Sequence, residues 1–515
     1  MHQEDVIDFL SHPDAYGLPD EQEVERFDTH ISIVFLAGDF AYKLKRAIAL
    51  PFVDFRALED RHHFCKQELS VNNFFAGNLY QDVIPVTCEG DELSLDGAGE
   101  PVDYLVKMHR FDQASLYNVL CDQGQLSTQM IHDLCDQAVA FYDQAEIDKE
   151  YGGVAGMVRA FEGHYKAIEN CPDHILDEAL LDRLKSLVAE TIERHKSLLD
   201  ERQIGGYVRH CHGDLHLRNI CQYQSQTLVF DAIEFEPDFA VIDMFYDFAF
   251  LLMDLCHRGE MDLANKAMNR YLGCSGDMNA LYLSGLFLAS RSAIRMHVNG
   301  VASQNQQTEA ARLSLEQDAR SYLTEALEYL SPKPVILIAI GGLSGSGKSV
   351  LSQKLAPHWG RQPGAFIART DMIRKRLQGV RPQDRLDQTA YSPEVTEQTY
   401  ETLYYDMTTA LKAGQCVIVD GVFAREEERA KLQNYAEELN IPFVGIWLDA
   451  AKETLKQRVA ARVNDPSDAT VEIVELQQSY DLGVMDWHRI DVSQDFETIY
   501  QIVRSHLLEK TDFPL

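Results

Sequence analysis

The sequence lacks the features of membrane-spanning and secreted proteins. Its 515 residues contain no apolar run approaching the roughly 18 residues that a membrane-spanning helix needs. The acidic start MHQEDVIDFL has neither the basic beginning nor the apolar stretch of a secretory signal. The ten cysteines form no CxxC pair and no Cys/His spacing typical of metal sites. These absences predict a cytoplasmic protein with reduced thiols and no membrane partner.

Basic charge is also scarce. Lys and Arg number 47 against 81 Asp and Glu, which gives a net charge of −34, and most of the acidic excess precedes Lys333. Such a surface repels nucleic acid at long range and disfavours it as a partner. The segment 361–385 is locally basic and predicts an anion site, so nucleic acid is not excluded as a partner of the C-terminal part. Its basic residues are Arg361, Arg369, Arg374, Lys375, Arg376, Arg381 and Arg385.

The length is too great for one hydrophobic core and predicts about three domains. The clearest boundary is the segment 331–334, Ser-Pro-Lys-Pro, because two prolines end a helical pattern and impose extended backbone. The apolar run that follows, 335–340, is typical of a buried parallel strand. We therefore predict a first domain at 1–331 and a second at 332–515.

The first domain is predicted to be α+β with two lobes. A small β-rich lobe, about 1–108, contains a hairpin at 31–46 around Gly38, a helix at 57–77 and strands near 81–87 and 102–108. A larger lobe, about 109–331, shows helical patterns. In the second domain, apolar strands at 416–419 and 443–448 alternate with amphipathic helices, which predicts an α/β doubly wound parallel sheet.

The segment 212–220, His-Gly-Asp-Leu-His-Leu-Arg-Asn-Ile, contains the side chains that phosphoryl transfer requires. That reaction needs phosphates held in place, metal ions that bridge them and a carboxylate that orients the attacking hydroxyl. Asp214 is the candidate base. Asn219 and Asp231, which follows a short apolar strand, are the candidate ligands of Mg²⁺.

The pattern HGDxHxxN, followed twelve residues later by Asp231, resembles the aminoglycoside phosphotransferase and choline kinase group. The resemblance implies a bilobal, protein-kinase-like domain that binds ATP. It further implies that Lys43 contacts the phosphates with Glu68 as its partner, although Lys45 lies on the same strand face. Asp247 matches an acid that supports the catalytic loop, or else caps a helix. No GxGxxG precedes the hairpin, a departure that leaves a regulatory first domain as an alternative.

A second phosphate motif, 342–349, reads Gly-Leu-Ser-Gly-Ser-Gly-Lys-Ser and fits the pattern GxxxxGK[ST] without a mismatch. Its backbone N–H groups are expected to point at phosphate oxygens, and its lysine reaches the β- and γ-phosphates. Asp420 ends an apolar strand, as a Walker B acid does, and is a candidate for the Mg²⁺ site. The candidate nucleotide and metal residues are Gly342, Ser344, Gly345, Ser346, Gly347, Lys348, Ser349 and Asp420.

Downstream residues indicate the acceptor side. Asp371 follows the apolar run 365–368, and Arg374 comes three residues later. This pattern resembles gluconate kinase, chloramphenicol phosphotransferase, zeta toxins and the 5′-hydroxyl polynucleotide kinases. The resemblance implies that Asp371 activates the acceptor hydroxyl and that Arg374 binds phosphate or substrate. Arg458 and Arg462, four residues apart, resemble the lid arginines of nucleoside-monophosphate kinases.

These observations predict a bifunctional phosphotransferase that uses ATP and Mg²⁺ and acts on hydroxyl groups of small molecules. The alternative is a toxin-like polynucleotide or nucleotide-sugar kinase in the second domain, regulated by a nucleotide-binding first domain. The motifs leave the acceptor and the oligomeric state open, because acceptor pockets are formed by loops without sequence signatures.

Overall fold

The computed structural model describes residues 2–50, 53–460 and 470–511. The chain forms two compact units. The first comprises Met1–Met130, Ala140–Ala160 and Lys196–Leu251, and the second comprises Ile131–Val139, Phe161–His195 and Leu252–Leu515. The division into domains at 331 and 332 stays a prediction.

A six-stranded antiparallel sheet with the order β1-β2-β3-β8-β6-β7 dominates the first unit. The predicted hairpin is present, with Gly38 at its turn in the left-handed region at φ 57°. Helix α2 lies against this sheet. The elements are α1 (Gln3–Leu10), β1 (Glu25–Asp28), β2 (Ser32–Ala37), β3 (Phe40–Lys45), β4 (Ala49–Leu50), β5 (Val53–Asp54), α2 (Leu58–Ala76), β6 (Tyr80–Glu89), β7 (Glu92–Leu95), β8 (Glu100–His109) and α3 (Tyr117–Asp122).

Helices and two small antiparallel ladders follow along the chain. The ladders pair β9 with β12 and β10 with β11, and the candidate catalytic loop runs from β9 to β10. The elements are α4 (Thr128–Gln144), α5 (Gly153–Ile168), α6 (Glu178–Ile204), β9 (Val208–His210), β10 (Ile220–Tyr223), β11 (Gln226–Val229), α7 (Pro237–Ala240), β12 (Val241–Asp243) and α8 (Met244–His257).

The second unit contains a five-stranded, fully parallel sheet with the order β14-β15-β13-β16-β17. Its elements are α9 (Met261–Ser275), α10 (Ser284–Ser303), α11 (Glu309–Leu330), β13 (Leu337–Gly341), α12 (Lys348–Leu355), β14 (Phe366–Arg369), α13 (Thr370–Leu377), α14 (Pro393–Lys412), β15 (Val417–Asp420), α15 (Glu426–Glu438), β16 (Phe443–Asp449), α16 (Lys452–Ala460), α17 (Val471–Gln477), β17 (His488–Asp491) and α18 (Phe496–Lys510).

Burial explains why these segments form strands. All five residues of β13 are buried, as expected for a central strand covered on both faces, and Ile338 and Ile340 pack in one cluster with Leu448 and Trp359. Burying an isoleucine or leucine side chain fully contributes about 1.5–3 kcal/mol. The predicted fold class, a bilobal α+β domain followed by a doubly wound parallel sheet, is confirmed. No helix in the described ranges is long and apolar enough to cross a membrane.

Candidate functional site

The first candidate site is centred on the loop between β9 and β10. The side-chain amide of Asn219 donates one hydrogen bond to Asp214 Oδ2 at 2.9 Å and another to the Asp214 backbone oxygen at 3.0 Å. The Asp214 side chain is 35% exposed, so an acceptor hydroxyl can reach its carboxylate. The structure thus brings the predicted base and one predicted metal ligand into direct contact.

Asp247 holds the backbone of this loop through hydrogen bonds. Its buried carboxylate accepts hydrogen bonds from the backbone N–H of His212 at 3.2 Å, the backbone N–H of Gly213 at 2.8 Å and the hydroxyl of Tyr142 at 3.0 Å. Asp247 is the fourth residue of α8, so it supports the loop and does not cap the helix. Gly213 has φ 85°, and a Cβ there would lie 2.7 Å from the Phe239 oxygen. The loop therefore requires glycine at this position.

The two histidines of the motif orient Asp214. Burial lowers the pKa of His212 and outweighs the opposite effect of the Asp247 and Asp214 carboxylates, so the ring is neutral at pH 7. Its Nε2 lies 2.9 Å from the Phe230 oxygen, and its Nδ1 accepts from the Asp214 backbone N–H at 3.3 Å. His216 Nε2 lies 3.3 Å from Asp214 Oδ2.

Five charged side chains form a continuous chain of ion pairs next to this loop. Lys43 Nζ lies 2.5 Å from Asp231 Oδ1 and 2.8 Å from Glu68 Oε1. Lys45 Nζ lies 2.6 Å from Glu68 Oε2 and 2.5 Å from Glu234 Oε1. The structure thus joins both candidate lysines to Glu68, but only Lys43 reaches Asp231.

The pKa values of this chain reflect competition between burial and pairing. Burial alone would raise the pKa of Glu68, but the ammonium groups of Lys43 and Lys45 hold it at about 2. Burial alone would lower the pKa of Lys43, but Asp231 and Glu68 raise it well above its usual value. Burial raises the pKa of Glu234, and Lys45 offsets this effect only in part. The sequence analysis did not predict a role for Glu234. The one indication in the sequence was Lys45, a second lysine on the same strand face as Lys43, which would need an acidic partner of its own.

Asp231 is held in an unusual backbone conformation. Its φ is 63°, in the left-handed region that costs a non-glycine residue free energy and that recurs at functional sites. The surroundings fix this geometry, because the Asp231 N–H donates to the Tyr80 hydroxyl at 3.2 Å and the next N–H donates to Asn72 Oδ1 at 2.9 Å. The Asp231 side chain is 46% exposed. Its carboxylate and the Asn219 carbonyl oxygen are ligands of the type that Mg²⁺ prefers.

A cleft of about 850 Å³ lies between the β2–β3 turn, the segment after β8 and the β10–β11 turn. Phe40, His109 and Tyr223 contribute to its walls, and Phe40 is the first residue of the strand that carries Lys43. Its size falls within the range of small-molecule and cofactor sites.

The second candidate site is the turn between β13 and α12. Gly342, Gly345 and Gly347 have φ values of 142°, 89° and 96°. A Cβ would lie 2.7 Å from the Leu448 oxygen at Gly342 and 2.6 Å from the Leu455 oxygen at Gly345. These positions accept only glycine without rearrangement, which accounts for the motif.

The polar groups of this turn fit phosphate and Mg²⁺. Ser346 Oγ is buried and has no hydrogen-bond partner within the described part of the chain, so it is available to a phosphate oxygen. Ser349 Oγ donates to Asp420 Oδ2 at 2.6 Å, which unites the two predicted magnesium residues. Lys348 Nζ donates to the Leu343 oxygen at 3.1 Å at the mouth of the same loop. A hydroxyl and a carboxylate in contact form an oxygen site suited to Mg²⁺ and its water shell.

Two further contacts at this site were not predicted from the sequence. Gln477, the last residue of α17, accepts a hydrogen bond from the Ser344 N–H at 2.8 Å. Arg369 Nε lies 3.4 Å from Asp420 Oδ2. The Gln477 contact joins residues 133 positions apart, and no spacing rule in the sequence indicates it.

The acceptor-side residues lie on α13, which begins at Thr370. Asp371 is its second residue, where the helix dipole favours a carboxylate, and its side chain is partly exposed. Arg374 is 6% exposed; its Nη1 donates to the Ala390 oxygen at 2.7 Å, and its guanidinium lies 4.8 Å from the Tyr391 ring centre. The structure thus uses Arg374 to hold the segment before α14, and its predicted contact with substrate stays a prediction.

The predicted lid arginines are only partly described. Arg458 lies on α16, and its Nη2 donates to the Val492 oxygen at 3.1 Å, just after β17. Arg462 lies outside the described residues. The role of both arginines in transfer stays a prediction.

The expectation that 361–385 forms an anion-binding surface needs correction. Arg361 donates to the Leu281 and Ala413 oxygens, Lys375 to the Pro382 oxygen and Arg376 to Asp406. These cations satisfy carbonyl groups and one carboxylate inside the second unit, so they are not displayed to an external anion. The exposed members are Arg381, which pairs with Asp384, and Arg385. A basic cluster in the sequence does not show which of its side chains will donate hydrogen bonds to groups inside the folded domain.

In the comparison with protein families, residues 337–480 match the family described as an AAA domain. This range contains the glycine-rich turn, Asp371 and Asp420. The match and the parallel sheet confirm the predicted phosphate-loop domain. Proteins of Mycobacterium tuberculosis and Mycobacterium bovis, both described as uncharacterized, are 27% identical over 492 residues, which cover 93% of this chain and 94% of theirs.

Solved structures similar to the chain include kinases of two kinds. A choline/ethanolamine kinase family protein from Mesorhizobium loti is 12% identical and covers 64% of this chain and 98% of its own, with a TM-score of 0.39. A gluconokinase from Sinorhizobium meliloti is 19% identical and covers 35% of this chain and 94% of its own, with a TM-score of 0.24.

Proposed function

We propose that this chain is a cytoplasmic, bifunctional phosphotransferase that transfers the γ-phosphate of ATP to hydroxyl groups of small molecules, with Mg²⁺ as cofactor. One observation carries the proposal. Each compact unit assembles its own set of phosphate- and metal-type groups from distant parts of the sequence: Lys43 with Asp231 in one and Ser349 with Asp420 in the other.

In the first unit, Asp214 performs the proton transfer. Its carboxylate accepts the proton of the acceptor hydroxyl as the hydroxyl oxygen bonds to the γ-phosphorus and the bond from that phosphorus to the departing ADP breaks. Asn219, His212 and His216 hold Asp214 in position. Lys43 is placed to neutralise phosphate charge, and Asp231 to hold the metal. Mg²⁺ held by Asp231 and Asn219 would offset the negative charge that develops during transfer. Both ring nitrogens of His212 are engaged, with the Phe230 oxygen and the Asp214 N–H, so Asp214 is the proposed base.

In the second unit, the backbone N–H groups of the loop 342–349 and Lys348 bind the phosphates. Ser349 and Asp420 hold the metal and its waters. Asp371 is the proposed base, because it is partly exposed and begins a helix that directly follows the strand beside β15, at whose end Asp420 lies. Strand ends at the carboxyl edge of a parallel sheet converge, so an acceptor can lie between Asp371 and the phosphate loop.

The rival function, a polynucleotide kinase under the control of the first domain, receives less support. Nucleic-acid binding depends on basic side chains that can reach backbone phosphates. In the 361–385 segment most of these side chains donate to internal oxygens instead. The intact set of Asp214, Asn219 and Asp231 also favours an active first unit.

The test is transfer of label from γ-labelled ATP to the small-molecule fraction of a cell extract. Each of Asp214→Asn and Lys348→Ala in the full chain should remove a different subset of labelled products, and the double variant should remove all of them. If Lys348→Ala alone abolishes every product, the first unit is not an active kinase. If single-stranded oligonucleotides at low salt become labelled in place of small molecules, the acceptor class is wrong.

A further inference from the structure

The outer edge of strand β14 is covered by side chains of helix α9. β14 is an edge strand of the parallel sheet, and its Phe366 N–H pairs inward, with the Cys416 oxygen at 2.9 Å. Because backbone groups alternate along a strand, the Ala365 oxygen and the Ile367 N–H face outward. At an uncovered edge, this backbone oxygen and N–H would need hydrogen-bond partners from outside the sheet.

Asn269 supplies that partner in the way a neighbouring strand would. Its Oδ1 accepts from the Ile367 N–H at 2.7 Å, and its Nδ2 donates to the Ala365 oxygen at 3.2 Å. Asn265, four residues earlier on α9 and 1% exposed, donates to the same Ala365 oxygen at 3.0 Å. Two carboxamides of one helix therefore complete the hydrogen bonding of the strand.

This strand leads directly to the acceptor side of the second site. Two residues after Ile367, Arg369 ends β14 and approaches Asp420. Asp371 follows within the first turn of α13. A shift of β14 along or away from the sheet therefore moves both Arg369 and Asp371 relative to the phosphate loop, which lies two strands away on β13.

Helix α9 also holds the far end of α13. Arg376 donates to the Leu272 oxygen near the end of α9 at 3.2 Å and to Asp406 of α14 at 2.6 Å. Gly273 of α9 lies against Met372, because a Cβ at this glycine would be 3.0 Å from the Met372 methyl carbon. Strand β14, which precedes Asp371, and helix α13, which contains it, thus both contact α9.

We propose that Asn269 is a positioning residue for phosphoryl transfer at the second site, and that α9 is a structural part of that site although it precedes the phosphate loop by more than sixty residues. The inference rests on the proposed function and on the assignment of Asp371 to the acceptor side. Asn269 fixes the strand that places Asp371, and it makes no contribution to nucleotide binding at the loop.

The decisive variant is Asn269→Asp in the full chain. It preserves shape and the acceptor for the Ile367 N–H, but it replaces the donor to the Ala365 oxygen by a second oxygen. Losing this half-buried donor, with a carboxylate oxygen set against the Ala365 oxygen in its place, costs enough to accelerate amide exchange in the peptide 365–377 by about tenfold. Exchange in 337–349 should stay unchanged. The matched control is Asn170→Asp, because Asn170 is exposed just after α5 and its side-chain amide makes a long contact of 3.4 Å with the Ala167 oxygen.

Transfer provides the second measurement, made with Asp214→Asn in all proteins to silence the first unit. With γ-labelled ATP and a small-molecule cell extract, Asn269→Asp should lower kcat by about tenfold and leave the KM for ATP within about twofold of the parent. Asn170→Asp should change neither value. A residue needed only for folding would lower the yield of folded protein or weaken ATP binding in parallel.

Two results would overturn the proposal. The first is equal amide exchange at 365–377 in Asn269→Asp and Asn170→Asp. The second is a loss of ATP affinity as large as the loss of kcat. If the parent labels no acceptor at all, the proposed function of the second unit fails, while the exchange comparison still decides whether Asn269 fixes β14.

Discussion

Lys43 and Lys45 lie two residues apart on β3 and share Glu68, but their surroundings differ. The Lys43 side chain is 11% exposed and reaches Asp231, whereas Lys45 is 1% exposed and reaches Glu234, which is itself 4% exposed. Removing Lys43 leaves Asp231, which water can solvate, and Glu68, which keeps its ion pair with Lys45. Removing Lys45 leaves Glu234 buried without its cation, and breaking a buried ion pair in this way typically costs about 3–5 kcal/mol.

We therefore predict opposite phenotypes for two matched substitutions, each measured in the full chain with Lys348→Ala to silence the second unit. Lys43→Met should weaken Mg-ATP binding by about tenfold or more, because a phosphate-contacting charge is lost. Lys45→Met should mainly lower the free energy of unfolding. Titration calorimetry and thermal unfolding separate the two. Stronger loss of ATP binding in Lys45→Met would reverse the assignment of the two lysines.

The same charges predict a pH dependence of stability. The pKa of Glu68 is about 2 in the folded chain, below its ordinary value of 4.5. Its ionised form therefore stabilises the fold above about pH 4.5, and this contribution is lost as the pH falls towards 2. Burial raises the pKa of Glu234, so protonation of Glu234 stabilises the folded chain as the pH falls, which is opposite to the effect of Glu68. Between pH 5 and 3, Glu68→Gln should flatten the fall in unfolding free energy and Glu234→Gln should steepen it. Identical slopes in both variants would contradict this account.

Two predicted site residues that contact each other in the first unit are close in sequence, and their roles stay predictions. Asp214 and Asn219 are five residues apart and meet in one loop, and Ser349 was assigned from its own motif. Glu234 and Gln477 were missed because their contacts join positions 189 and 133 residues apart. Such contacts depend on how distant elements pack together, and no spacing pattern in the sequence predicts them.

At the scale of elements, apolar strands and glycine-rich turns were predictable because their causes are local. The run 335–340 overlaps β13, which spans Leu337–Gly341, and the φ values of Gly342 and Gly345 require glycine. Strand β1 was not predicted, since all four of its residues, Glu25–Asp28, are exposed and show no apolar alternation. It adds to the sheet through backbone pairing with β2 at the edge.

The position of Asp371 in the first turn of α13 yields a prediction for the acceptor side. Asp371→Ala should stop transfer by the second unit, by a factor of about 10²–10⁴ if it is the base, while ATP binding at the phosphate loop is preserved. Labelled-ATP transfer in the Asp214→Asn chain measures this effect. Asp384→Ala is the matched control, because Asp384 pairs with Arg381 on the surface nearby. Unchanged transfer in Asp371→Ala would move the base elsewhere, with Asp420 the next candidate.

At the scale of the whole molecule, the proline-rich junction at 331–334 correctly marks the end of α11 at Leu330. The compact units nonetheless extend across it, because α9 to α11 belong to the same unit as the parallel sheet. Sequence patterns indicate where a helix ends. They carry no signal for asparagine side chains that pair with a distant strand edge, as Asn265 and Asn269 do. Experiments on the second site therefore require the full chain.

The central claim is that one chain contains two independent nucleotide sites. The direct measurement is calorimetric titration of the full chain with a non-hydrolysable ATP analogue and Mg²⁺. We expect two sites per chain in the wild type, one site of wild-type affinity in Lys348→Ala, one in Lys43→Met, and no site of wild-type affinity in the double variant. A single site in the wild type, or two sites that persist in Lys348→Ala, would contradict the account.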